Sequence, residues 1–177
     1  MSSETNARFF AEMLNERGLI GSAVEVGVYQ GRFSHALLTH WRGSMLNLVD
    51  PWSFTSRGTA VVGMQEDLAA TRELLAGFGS RTAYWVTKSV AATKDIPDDS
   101  LDFAYIDGLH HLLDVTDDLQ AWWPKLKQGG VFAGHDYRHN CGVPKAVLAF
   151  ARQVVLPFTV VPEVDHPRNA LWHMTKE

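Results

Sequence analysis

The chain is poor in the features that mark secreted and membrane proteins. It has a single cysteine, Cys141, so an internal disulfide bond is excluded and a reducing compartment is favoured. No apolar run approaches the ~20 residues that a membrane-spanning helix needs. Residues 1–6 lack the basic segment and apolar run of a signal peptide. We therefore expect a cytoplasmic protein without a membrane partner.

Basic residues are also too few to indicate a nucleic-acid partner. The 16 Lys and Arg residues are outnumbered by 20 Asp and Glu residues, and the net charge is −4. No basic cluster that would bind phosphates stands out along the sequence. What is present is typical of a globular protein, with 177 residues of which 46% are hydrophobic. The sequence predicts a single domain over residues 1–177 and no nucleic-acid partner.

Short β-branched or aromatic runs alternate with longer amphipathic segments. Helices are predicted over residues 5–17, 32–41, 65–76, 112–126 and 143–153. Strands are predicted over residues 23–26, 46–49, 83–86, 101–106, 131–134, 154–161 and 170–175. Alternation implies a parallel sheet with right-handed crossovers, whereas the short last connection implies a hairpin. The sequence therefore predicts an α/β fold with a Rossmann-like, doubly wound, seven-stranded, mostly parallel sheet that contains one antiparallel strand.

The stretch from Ser22 to Gly31 has the pattern of a strand, a tight glycine loop and the start of a helix. Gly27 and Gly31 allow the backbone to approach a ligand, and Glu25 places a carboxylate near the strand's carboxyl end. The motif lacks the G-x-G-x-x-G spacing of dinucleotide-binding loops, and Glu25 would repel a pyrophosphate. It therefore favours a nucleoside-containing cofactor with a cationic or zwitterionic end.

Four predicted strands end in carboxylates, and such ends meet on one rim of a doubly wound sheet. The four residues are Glu25, Asp50, Asp107 and Asp136. Asp50 lies about 20 residues past the glycine loop, where an acid accepts hydrogen bonds from ribose hydroxyls in nucleoside-binding folds. Trp52 packs either against the nucleoside or in the core.

Four blocks of sequence resemble the class I S-adenosylmethionine-dependent methyltransferases, and the later blocks resemble the small bacterial branch of sugar, macrolide and coumarin O-methyltransferases. The blocks are VEVGVYQG at 24–31, VDPW at 49–52, DFAYIDGLH at 102–110, and WWPKLKQGGV at 122–131 with GHDY at 134–137. The resemblance covers nearly the whole chain and implies S-adenosylmethionine as the cofactor. It implies that the methionine part of the cofactor is lined by Glu25, Gly27, Tyr29 and Gly31. It also implies that Asp50 holds the ribose and that the adenine lies beside Pro51, Trp52 and Ser89. Asp107 would lie between the cofactor and the substrate.

The resemblance also raises a choice between a metal ion and a histidine base. Related O-methyltransferases hold a divalent cation at positions that match Asp107, His135 and Asp136, and Mg²⁺ or Mn²⁺ there would lower the pKa of a substrate hydroxyl. His135 departs from the usual oxygen ligand, which leaves room for a softer metal or for a metal-free base. The candidate catalytic residues are Asp107, His110 and His135, because a neutral imidazole accepts a proton near pH 7.

These features together predict methyl transfer from S-adenosylmethionine to a hydroxyl of a small molecule of the sugar or natural-product type. Two alternatives stay open: a metal-dependent hydrolase or lyase that uses the Asp and His cluster, and an S-adenosylmethionine-binding protein without turnover. Residues 53–64 have no clean periodicity and are either a lid over the site or a connection without a role. Because little more than the predicted N-terminal helix (1–20) precedes the first strand, a second chain that completes the pocket, and hence a homodimer, is a further expectation.

Overall fold

The computed structural model describes residues 3–53, 55–56, 59–60, 64–138, 141–163 and 169–177. Its strands are β1 (Ser22–Val26), β2 (Met45–Val49), β3 (Thr55–Ser56), β4 (Thr59–Ala60), β5 (Thr82–Trp85), β6 (Leu101–Ile106), β7 (Leu126–Gly134), β8 (Thr159–Pro162) and β9 (Ala170–Thr175). Its α-helices are α1 (Ser3–Glu16), α2 (Arg32–His40), α3 (Met64–Leu75), α4 (Ser89–Ala92), α5 (Leu112–Trp122) and α6 (Val143–Val154). Short 3₁₀ helices cover Ala76–Arg81, Thr93–Asp95 and Trp123–Lys125.

Within the described residues, seven of the strands form one sheet in the order β5-β2-β1-β6-β7-β9-β8. The first five in this order pair in parallel. Strand β9 is antiparallel to both β7 and β8, so β8 again points along the parallel strands. The predicted Rossmann-like, doubly wound sheet with one antiparallel strand is confirmed.

Helices cover both faces of the sheet and divide the core in two. On one face, Phe10 of α1 and Leu37 of α2 pack with Phe103 and Tyr105 of β6. On the other face, helices α5 and α6 pack against residues of β1, β6 and β7. All six residues of β6 are buried, because a central parallel strand is covered on both sides. This arrangement fixes the carboxyl ends of β1, β2 and β6 next to one another.

Three element boundaries differ from the sequence expectation by four residues or more. The predicted helix over 112–126 ends at Trp122, since Pro124 falls in a 3₁₀ turn. The predicted strand over 131–134 starts already at Leu126, so that Gly129 and Gly130 lie inside β7. The predicted strand over 154–161 starts only at Thr159, because α6 runs on to Val154 and Val155 adopts a left-handed conformation. All three differences leave the predicted order of elements intact.

The segment expected to be a lid, residues 53–64, contains the small antiparallel hairpin of β3 and β4. The rest of the segment from Phe54 to Gly63 lies outside the described residues, so the lid role stays a prediction. None of the helices in the described parts of the chain is both long enough and apolar enough to span a bilayer.

Candidate active site

The glycine loop after β1 is held closely between the ends of two neighbouring strands. The Gly27 amide donates to the carbonyl of Val49 at 2.9 Å. Gly27 has a φ of +87°, and a Cβ at this position would lie 2.2 Å from the carbonyl oxygen of Asp107. Since no side chain fits there, glycine is required both for the backbone conformation and for the close approach.

Asp50 fastens this loop to the segment after β2. Its Oδ2 accepts a hydrogen bond from the amide of Tyr29 at 3.0 Å, and its Oδ1 accepts one from the amide of Trp52 at 2.7 Å. The Trp52 indole in turn donates to the carbonyl oxygen of Tyr29 at 2.9 Å. Trp52 is 2% exposed and belongs to the core, whereas Asp50 and Tyr29 face the adjoining cavity.

Glu25 is a buried acid beneath the loop. It is 2% exposed, and the hydroxyl of Ser34 on α2 donates a hydrogen bond to its carboxylate. Burial raises the pKa of Glu25 well above its usual value, and the Ser34 hydrogen bond offsets this only in part. A cationic ligand above the loop would favour the ionised form of this carboxyl group.

A cavity of about 530 Å³ opens at the carboxyl ends of β1, β2 and β6. This volume lies within the range of about 300–1,000 Å³ that is typical of small-molecule sites. The cavity is lined by Val26, Gly27, Tyr29, Val49, Asp50, Pro51, Ser53, Lys88, Ser89, Val90, Asp107, Gly108, Leu109, Asp114, Asp117 and Asp118. The acidic side chains give it a negative lining that suits a cationic ligand.

The wall opposite the glycine loop is built by α4 and α5. The Trp122 indole donates to the hydroxyl of Ser89 at 2.9 Å. Asp118 is 6% exposed and hydrogen-bonds Ser89. Burial raises the pKa of Asp118 to about 6. The helical periodicity of α5 places these acids on its polar face, and no signal in the sequence alone shows that α4 packs against them.

Asp107 links the cavity to a second group of polar side chains. Ligand atoms of Asp107, His110 and Asp136 lie within 4.8 Å of one another. The Nε2 of His110 is 2.7 Å from Oδ2 of Asp136, and this hydrogen bond raises the pKa of His110. Arg138 contacts the other oxygen of Asp136 at 3.1 Å. Burial would raise the pKa of Asp136, but His110 and His135 hold it well below its usual range.

His135 faces the same two acids from the other side. Its Nδ1 lies 3.6 Å from both Oδ1 of Asp107 and Oδ2 of Asp136, and its Nε2 lies 2.8 Å from Oε1 of Glu163. Burial alone would lower the pKa of His135, but the surrounding carboxylates outweigh it and raise the pKa to about 11. Because carboxylates face both of its ring nitrogens, the surroundings of His135 favour the imidazolium, which makes His110 the better proton acceptor of the two.

The structure brings most of the predicted site residues together. The cavity lining contains Gly27, Tyr29, Asp50, Pro51, Ser89 and Asp107. Glu25, Gly31 and Trp52 are buried and are not among the lining residues. The predicted metal ligands Asp107 and Asp136 do meet, but the described residues group them with His110 rather than with His135, whose Nε2 is engaged by Glu163. Sequence reasoning missed Glu163, Lys88, Asp114, Asp117 and Asp118.

Comparison with known proteins agrees with this geometry. The chain matches the family Methyltransf_24, described as a methyltransferase domain, over residues 24–137. None of the curated proteins compared with it matches. Among solved structures, an O-methyltransferase from Bacillus cereus in complex with SAH has a TM-score of 0.71 at 12% identity, covering 97% of this chain and 81% of that one.

Two further solved structures differ in what they methylate. TomG, an O-methyltransferase from Streptomyces achromogenes involved in tomaymycin synthesis and solved with SAM, has a TM-score of 0.64 at 11% identity, covering 98% of this chain and 80% of that one. An rRNA methylase from Streptococcus thermophilus has a TM-score of 0.69 at 15% identity, covering 97% and 94%. At these identities the likeness is one of fold.

The sheet order and the cavity at the ends of β1, β2 and β6 define a Rossmann-like methyltransferase domain. The family match spans more than half of the sequence, so the chain belongs to the Methyltransf_24 family. It is an S-adenosylmethionine-dependent methyltransferase.

Proposed function

We propose that this enzyme methylates a hydroxyl group of a small molecule. The observation that carries the proposal is the position of Asp107, which lines the cavity and also meets the hydrogen-bonded pair of His110 and Asp136. When bound, S-adenosylmethionine supplies a methyl group on a positively charged sulfur. The residues at the mouth of the cavity then have two tasks, to orient the acceptor and to remove its proton.

The cavity residues fit the cofactor by their chemistry. Gly27 lets the loop pack directly against the backbone of Asp107 at the wall of the cavity, and Asp50 keeps lone pairs for ribose hydroxyls beside its two backbone hydrogen bonds. Ser89 and Pro51 lie in the part of the lining assigned to the adenine. The acids Asp107 and Asp117 add negative charge that favours a sulfonium.

His110 is the residue that we assign to proton removal. Its Nε2 is held by Asp136, which orients the ring and makes it a stronger base, and its side chain is 37% exposed at the rim. We expect the rate of methyl transfer to rise with pH as His110 loses its proton. Because the pKa of His110 is raised, this increase in rate should occur above about pH 6.5. A rate that is flat from pH 6 to 9 would contradict this role.

The surroundings of the rim favour a small acceptor with an apolar part over RNA. Leu109, Leu112 and Leu113 are 49%, 45% and 76% exposed next to His110. The acids Asp114 and Asp117 line the cavity on the same side. A phosphate backbone would be repelled there, whereas a partly apolar alcohol or phenol would pack against the leucines.

Acceptor class is tested by transfer of a tritium-labelled methyl group from S-adenosylmethionine to a panel of phenolic and sugar hydroxyls, with a structured rRNA fragment in parallel. We expect label on a hydroxyl compound, its loss in His110→Ala, and its retention in His111→Ala, since the adjacent His111 is exposed. Label on the rRNA fragment alone would contradict the proposal.

A divalent cation is a second way to activate the acceptor, and the grouping of three ligand atoms supports it. Asp107, His110 and Asp136 would hold the ion, and Mg²⁺ or Mn²⁺ bound there would lower the pKa of the acceptor hydroxyl. Dialysis against EDTA separates the two mechanisms. Activity that survives EDTA assigns proton removal to His110, and activity that returns only with Mg²⁺ or Mn²⁺ assigns it to the metal.

A further inference from the structure

Behind the rim, His135 is held by a buried carboxylate that belongs to a distant part of the chain. Oε1 of Glu163 lies 2.8 Å from Nε2 of His135, and Glu163 is 2% exposed. The same oxygen accepts a hydrogen bond from Nδ2 of Asn6 at 2.6 Å. Neither Glu163 nor Asn6 is among the residues that line the cavity.

Three separate elements build this contact. Glu163 follows β8 and Asn169 precedes β9, and the Glu163 amide donates to the Asn169 carbonyl at 3.2 Å. The amide of Tyr137, two residues after His135, donates to the carbonyl of Ala170 at 3.0 Å. Asn6 adds the N-terminal helix α1. The imidazole is thus fixed by the β8–β9 hairpin and by α1, which come from opposite ends of the sequence.

The contact decides which ring nitrogen faces the rim. With Nε2 turned to Glu163, Nδ1 is left 3.6 Å from both Asp107 and Asp136. A ring turned over by about 180° would place Cδ2 and Cε1 where the two nitrogens now lie, and both contacts would be lost. Nδ2 of Asn169 lies 3.1 Å from Nε2 of His135. The buried Oδ1 of Asn169 has no hydrogen-bond partner among the described residues. If the side-chain amide is turned over by about 180°, Oδ1 becomes a second acceptor for the Nε2–H of His135.

We propose that Glu163 is a positioning residue, which holds the His135 ring so that its Nδ1 hydrogen stays directed at Asp107 and Asp136. The inference rests on the proposed function, because its consequence for turnover depends on Asp107 and Asp136 at the site of transfer. Glu163 touches neither cofactor nor acceptor and acts only through His135. The N-terminal helix contributes to the same site through Asn6.

The test compares Glu163→Gln and Glu163→Asp with Glu12→Gln, a control on an exposed acid of α1. Glu163→Gln removes the charge and keeps the size, whereas Glu163→Asp keeps the charge and withdraws it from the ring. We expect turnover to fall about 10- to 100-fold in both variants, as for partners of active-site groups elsewhere, with an unchanged KM for S-adenosylmethionine. The control should match the wild type.

NMR of the histidine rings supplies a measurement that needs no acceptor. In the wild type, the Nε2 proton of His135 should be visible and slow to exchange, because it is bonded to a buried carboxylate. In Glu163→Gln, this Nε2 proton should exchange faster with solvent, because a neutral amide replaces the carboxylate that holds it. If no acceptor is methylated by the wild type, the proposed function fails, while the NMR result still decides whether Glu163 positions His135.

Two outcomes would overturn the inference. One is wild-type turnover and wild-type protection of the Nε2 proton in Glu163→Gln. The other is a variant that is only less stable, with turnover per folded molecule unchanged. Should both variants fail to fold, absence of a protected Nε2 proton in the wild-type protein would overturn it by itself.

Discussion

Val155 has a backbone conformation that does not suit its side chain. It ends α6 with φ 57° and ψ 40°, in the left-handed region that a β-branched residue rarely adopts. Its side chain is 84% exposed and contributes little packing. Glycine adopts this conformation without steric cost.

We therefore expect Val155→Gly to raise the free energy of unfolding by about 1 kcal/mol, measured by urea denaturation. The matched control is Leu148→Gly, an exposed position inside the same helix, where glycine should lower stability by about 1 kcal/mol. A loss of stability in both variants would show that the cap conformation carries no strain.

Gly27 is the residue where a single added methyl group should do most harm. Both its φ of +87° and the 2.2 Å approach to the Asp107 carbonyl exclude a Cβ. We expect Gly27→Ala to cost about 2–3 kcal/mol of stability and to abolish binding of S-adenosylhomocysteine in calorimetry. Gly77→Ala is the control, because nothing lies within 4 Å of its Cβ position. Wild-type binding by Gly27→Ala would disprove the close approach.

At the scale of elements, the packing of α4 on α5 makes stability depend on pH. Asp118, buried between them, has a folded-state pKa of about 6 against an unfolded value of 3.8. The folded state therefore binds the proton more tightly, and this group lowers stability as the pH rises from about 4 to about 6.

We expect Asp118→Asn to remove this loss, so that its stability relative to the wild type rises by on the order of 2–3 kcal/mol between pH 4 and pH 7. Thermal unfolding of both proteins across that pH range measures the difference in stability between them. The contributions of other titrating groups cancel in this difference, because both proteins contain them. Glu73→Gln, which replaces an exposed acid on α3, should follow the wild-type curve. Parallel curves for Asp118→Asn and the wild type would contradict the effect of burial.

The elements also show where sequence information was sufficient. The positions of the glycine loop and of Asp50 at the ends of β1 and β2 were predictable, because local patterns of strand and turn residues determine them. Asp118 was not, since helical periodicity defines a face of α5 but not which element packs on it. The end of α5 was misplaced for a similar reason, because a glycine pair stops a helix in one context and lies within a strand in another.

At the scale of the whole molecule, the sequence predicted the sheet and its one antiparallel strand, because the alternation of short and long apolar segments leaves few topologies. The partners of His135 could not be predicted. Asn6 and Glu163 are 157 positions apart and meet only after the sheet has formed. Local patterns carry no information about such contacts, so the part of the site that depends on them became visible only in the structure.

The strand order has one more consequence, which concerns self-association. The two edge strands, β5 and β8, are the shortest of the sheet at four residues each, and β8 ends in Pro162, which has no backbone N–H. Short edges and proline discourage the addition of a further strand from another chain. A dimer of this enzyme should therefore join through helices or loops and not as one continuous sheet, and the same edges should protect it from edge-to-edge aggregation.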